Sequence, residues 1–86
     1  MPTPRSGIAA AALGDRINVF GGENPSQTFD DNEEYDPGTD AWRARARMPT
    51  PRHGLGAVAL GNVVYVVAGG PTPGGSASGA NEAFVP

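Results

Sequence analysis

Met1-Pro2-Thr3-Pro4-Arg5 opens the sequence, and the same five residues return as Met48-Pro49-Thr50-Pro51-Arg52. The offset is 48 − 1 = 47 residues, and it holds past the pentapeptide. Gly7/Gly54, Ala10/Ala57, Ala12/Ala59, Leu13/Leu60, Gly14/Gly61, Val19/Val66 and Gly22/Gly69 also match, giving 12 identities in 22 positions. Self-similarity at that period marks a chain built from copies of one supersecondary unit. Residues 1–47 form the first copy and 48–86 the second.

Glycine and proline at short intervals exclude long helices and divide each copy into strands. Four strands are predicted in the first copy, over residues 7–13, Ile17–Phe20, Asn32–Asp36 and Ala41–Arg47, with a polar loop at 23–31. Three follow in the second: Gly54–Leu60, Val63–Val67 and Asn81–Val85, with a small-residue loop at 71–80 that reads as mobile. The run Ala9–Ala12 alone would suit a helix. Its counterpart Gly56-Ala57-Val58-Ala59 contains glycine and valine, which argues for strand. In Ala41–Arg47, Trp42, Ala44 and Ala46 alternate with Arg43, Arg45 and Arg47, the period of a half-buried strand with a wet outer face. Val63-Val64-Tyr65-Val66-Val67 is apolar on both faces and needs cover on both. Small residues in the first strand of each copy, bulky ones in the second and charges further out suit radially arranged sheets. The expectation is an all-β fold of about seven strands.

With those elements placed, the chain resembles the kelch repeat family of β-propellers. The resemblance rests on the double glycines Gly21-Gly22 and Gly69-Gly70, the strand Glu34-Tyr35-Asp36-Pro37, Trp42 beyond it, and the hinge pentapeptide leading into the next unit. Asn81–Pro86 matches Asn32–Pro37 at an offset of 81 − 32 = 49. Departures are Asn18 where the family prefers tyrosine, Ala68 for the first glycine of the second pair, and Phe84-Val85 for Tyr-Asp. The resemblance implies two consecutive antiparallel kelch blades, a partial β-propeller. Met1 falls at the hinge position held by Met48, so the sequence reads as the C-terminal part of a longer propeller.

Composition narrows the function classes. The chain has 86 residues and a net charge of −3, and all six of its cations are arginine. An acidic balance without a basic stripe argues against a nucleic-acid partner. Lysine-free, Ala/Gly/Pro-rich usage points to a GC-rich bacterial genome. No apolar run approaches the roughly 20 residues of a membrane helix, and no signal peptide is evident, so no membrane partner is expected and no compartment is assigned. With no cysteine, thiolate metal sites and disulfides are impossible here.

The chemistry-bearing motifs have simple structural readings. The paired glycines lack the lysine and helix of a phosphate loop and instead end strands at tight turns. Tyr35 and Trp42 are expected between neighbouring blades. Asp30–Asp36 carries many carboxylates, but without the glycine turn of a calcium loop it predicts no metal site. His53, the single histidine, has no nucleophile elbow in the sequence to serve. Arg5, Arg52 and His53 are the candidate binding residues, as rim contacts. For the two arginines, pairing with a carboxylate or carbonyl is the weightier reading and partner contact the lesser one.

The resemblance implies a non-catalytic protein-interaction scaffold without a cofactor, with loops 23–31 and 70–80 and the hinges as contact surfaces. The alternative is part of a propeller enzyme or carbohydrate-binding protein, of galactose-oxidase or sialic-acid mutarotase type. The oxidase-type copper site needs a cysteine cross-link that this chain lacks. Two blades alone leave apolar faces bare, predicting marginal stability or self-association through those faces.

Overall fold

A computed structural model describes residues 1–86 and contains nine strands and no helix. β1 (Ala9–Leu13), β2 (Arg16–Phe20), β5 (Asn32–Asp36) and β6 (Ala41–Ala44) form a four-stranded antiparallel sheet in the order β1-β2-β5-β6. β7 (Gly56–Leu60), β8 (Val63–Val67) and β9 (Asn81–Phe84) form a three-stranded one in the order β7-β8-β9. The all-β reading therefore holds, with seven strands in two consecutive antiparallel blades. The alanine run is strand, pairing Ala9 with Phe20 through Leu13 with Arg16.

Several boundaries differ from expectation. β1 and β7 start two residues late because Gly7 and Gly54 take left-handed backbone (φ 63° and 62°), which turns the chain before the ladder begins. β6 stops at Ala44 rather than Arg47, and beyond it the chain stays tied to Asn32 of β5 by the Arg45 N–H to the Asn32 carbonyl and by the Asn32 side-chain amide to the Ala46 carbonyl. Loop 23–31 holds a small hairpin of its own, β3 (Glu23–Asn24) with β4 (Gln27–Thr28). Its turn is closed by Asn24 Oδ1, which accepts from the backbone N–H groups of Ser26 and Gln27.

The blades pack face to face. Opposed residues in an antiparallel pair share a face, so Ala9, Ala11, Leu13, Asn18, Phe20 and Glu34 look toward the second blade. Ala57, Ala59, Val64, Val66 and Phe84 look back. Between them lies the core, where Val64 and Val66 are buried and Phe20 meets Phe84 edge-on at 5.9 Å. Met48 and Leu55, from either side of the second hinge, complete it. Backbone hydrogen bonds also join the blades, among them Gly54 N–H to the Gly7 carbonyl and Gly22 N–H to the Arg52 carbonyl, both at 2.7 Å. The opposite faces are uncovered, with Ile8 and Ile17 exposed on the first blade and Val58, Leu60 and Val67 on the second.

Candidate functional site

Each hinge is built around one buried arginine. The Pro-flanked approach delivers Arg5 and Arg52 under the middle of their blades, and both side chains are 0% exposed. Arg5 Nη2 donates to Glu33 Oε1 at 2.8 Å and to the Val19 carbonyl at 3.3 Å, and Nη1 donates to the Gly21 carbonyl. Arg52 Nη2 donates to Glu82 Oε1 at 2.8 Å and Nη1 to the carbonyls of Ala68 and Ala80 at 2.9 and 3.1 Å. A threonine completes each carboxylate: Thr3 Oγ1 donates to Glu33 Oε2 at 2.7 Å, Thr50 Oγ1 to Glu82 Oε2 at 2.6 Å. Burial pushes the Glu33 carboxyl up, but the hydrogen bonds from Arg5 and Thr3 and the Arg5 charge outweigh it and hold it below the ordinary carboxylate value.

Of the two uses expected for Arg5 and Arg52, the geometry carries the carboxylate and carbonyl pairing and not the rim contact: their guanidinium groups are enclosed, and what they bind is their own blade. The partners Thr3, Thr50, Glu33 and Glu82 were not singled out from sequence. The signal was present, since both threonines recur at the 47-residue offset and both glutamates at 82 − 33 = 49.

The other arginines are also consumed within the chain. Arg43 and Arg45 converge on the buried Glu34 at 2.8 and 2.6 Å, Arg47 on Asp30 and Asp31, and Arg16 on Asp15 and Asp36. Burial raises the Glu34 carboxyl, while the Arg43 hydrogen bond and the charges of Arg45 and Arg43 bring it below the ordinary value. Arg43 stays largely exposed, as the alternation implies, whereas Arg45, just beyond β6, lies over the Phe84 ring, 5.3 Å from its centroid. Together these pairs disperse the acidic stretch Asp30–Asp36, and no three acidic or histidine side chains gather where they could hold a metal ion.

Tyr35 and Trp42 stack at 5.0 Å, but on the face of the first blade turned away from the second. Phe84, the repeat counterpart of Tyr35, is the aromatic that sits between the two blades. Gly21, Gly22 and Gly69 close the strand ends. Gly22 and Gly69 are both left-handed, and a Cβ on either would come within 2.7 Å of a carbonyl oxygen, that of Ser6 or His53. Gly70 pairs with His53 through two backbone hydrogen bonds.

His53 remains at the rim. Its Nδ1 lies 3.0 Å from Glu23 Oε2 and its Nε2 2.8 Å from the Thr72 carbonyl, so one ring spans the β3–β4 hairpin and loop 71–80. Gly74 N–H donates to Glu23 Oε1 at 3.0 Å and Thr28 Oγ1 to the Pro71 carbonyl at 2.8 Å. Loop 71–80 has no strand but is tied down at three points. Between it and the hairpin runs an open cleft of about 410 Å³ lined by Ser6, Glu23, Asn24, Pro25, Pro73 and Gly74.

Short antiparallel sheets joined by hinges, stacked face on face in sequence order, are the blades of a β-propeller. The family model of the Kelch motif matches residues 4–49, more than half of the chain, and the chain belongs to the kelch repeat family. No curated protein matches the chain.

Proposed function

We propose that this kelch-repeat chain is a non-catalytic interaction scaffold that presents the hairpin β3–β4 and loop 71–80 as one contact surface to a protein partner. The observation that supports the reading is the tethering of that rim. Glu23, His53, Thr28 and Gly74 bond to one another or to the loop backbone, so the two segments are held in a fixed relation across the blade boundary. A pre-ordered surface loses less conformational entropy on binding than a loose one.

Photo-crosslinking tests the reading. With the probe at Ser26 or Pro73, discrete adducts with a protein partner are expected, and with the probe at Asp15 or Asn62, on the opposite hairpin turns, none. Equal labelling from both ends of the blades would sink the proposal, as would turnover of a sugar substrate abolished by His53→Ala.

A further inference from the structure

The repeat puts one small bridge at the same place in each blade. Ser6 pairs with Glu23 in the first and His53 with Gly70 in the second, at positions 47 residues apart in the sequence. Backbone hydrogen bonds of 3.1 and 2.8 Å close the Ser6–Glu23 bridge, and bonds of 3.0 and 2.8 Å close the His53–Gly70 bridge. The backbone positions are equivalent, but the side chains are not. Glutamate stands on one bridge and histidine on the other, and they reach across the blade boundary, with 3.0 Å between Glu23 Oε2 and His53 Nδ1. Gly70 leaves room for the ring, since a Cβ there would come within 2.9 Å of Nε2.

Oxygen holds that ring at both ends. Nδ1 faces the Glu23 carboxylate, and Nε2 faces the Thr72 carbonyl at 2.8 Å. Neither of these acceptors offers a proton, and a neutral imidazole carries a single N–H. Only the imidazolium donates to both. When the ring loses a proton, the remaining N–H stays with the charged acceptor, because charge-assisted bonds are the stronger ones. The Nε2 lone pair is then left against those of the Thr72 carbonyl. With the side chain only 12% exposed, water replaces the lost partner poorly. Glu23 is the one charged group within ion-pairing distance of the ring. Loop 71–80 carries no titratable side chain, and the hinge arginines Arg5 and Arg52 are turned into Glu33 and Glu82.

We propose that His53 is a proton-operated latch on loop 71–80, closed when the ring is charged and released at Thr72 when it is neutral. Histidine side chains exchange their proton between about pH 5 and 8, so the acid side of that interval closes the rim and the alkaline side loosens it. Release is local. Thr28 still holds the Pro71 carbonyl and Glu23 still takes the Gly74 N–H, so the loop is loosened over Thr72–Ser76 without being detached. The latch rests on the tethering of the rim and not on a partner docking there, so a failure to crosslink a partner would leave it standing.

Nuclear magnetic resonance on the full chain across about pH 5 to 8 tests it. Backbone order parameters of Thr72–Ser76, read at the α-carbons, should fall from about 0.85 toward 0.6 as pH rises, with a midpoint that coincides with titration of the His53 ring. The ring should end as the neutral tautomer protonated at Nδ1. In His53→Gln the transition should disappear, since glutamine has no proton to lose in this interval. The turns at Gly14 and Gly61, at the opposite end of the blades, should not respond. Order parameters independent of pH, a transition that survives in His53→Gln, or an equal response at Gly14 and Gly61 overturns the latch. If His53→Gln does not fold, the unmodified chain decides. A neutral ring protonated at Nε2, or a loop transition displaced from the ring titration, overturns the proposal.

Discussion

Arg52 shows how a charged residue becomes part of a core. Its guanidinium is fully enclosed, neutralised by Glu82 and saturated by backbone carbonyls. Removing one member of such a pair strands the other in a poor solvent, at a cost of about 3 kcal/mol. For a small two-blade unit that is a large fraction of the total. Arg52→Ala should therefore lower the urea midpoint sharply, with Arg5→Ala behaving alike, and an unchanged midpoint would contradict this role. The carboxylates set the acid limit. Glu33 and Glu34 have folded-state values below the ordinary one, so the folded chain favours their charged forms. Their contribution is complete above the ordinary glutamate value of about 4.3 and disappears as pH falls through the lowered folded-state values. Denaturation followed from pH 7 downward should show a plateau, then a loss of stability that begins beneath that value. The arginines were legible in sequence as hinge residues with two possible uses. Their enclosure was not, because it depends on which carboxylate folds back from about 30 residues away.

At the scale of the elements, alternation and glycine placement carried most of the information. β2, β5, β8 and β9 fall close to their expected spans because β-rich runs are bounded there by turn residues. The hairpin β3–β4 escaped because two-residue strands leave no periodicity, and a side-chain contact of Asn24 holds the turn. Trp42 and Tyr35 lie on the face of the first blade turned away from the second; alternation assigns residues to a common face without saying which face meets the neighbour. One element carries a local mismatch. β8 is followed by Ala68 in left-handed backbone, φ 60°, where the first copy has Gly21 at φ 65°. An L-residue there is strained by about 1 kcal/mol. Ala68→Gly should stabilise the chain by about that amount, raising the thermal midpoint, whereas a lower midpoint would show that the strain is relieved some other way.

The whole molecule is two sheet layers, 15 Å across in its shortest dimension. Two of the four broad sheet faces pair with each other in the chain, and the other two, one on each blade, carry exposed apolar side chains. Anything that binds the folded state alone raises its stability by mass action. If copies cover one another's faces, the melting temperature should climb as protein concentration is raised tenfold, and Val58→Glu should abolish that dependence. A melting temperature independent of concentration in the unmodified chain would count against assembly. Blade architecture and repeat length were open to sequence reasoning because they are local and periodic.

The hinge at Met1–Arg5 and Met48–Arg52 carries one further consequence, for ancestry. Both hinges fasten into their blades by the same threonine–arginine–glutamate geometry. A gene that gains or loses one repeat unit between hinges preserves every junction it had before. Blade number can then drift by unequal recombination while the contact between neighbours stays constant, which makes the hinge a unit of inheritance as well as of folding.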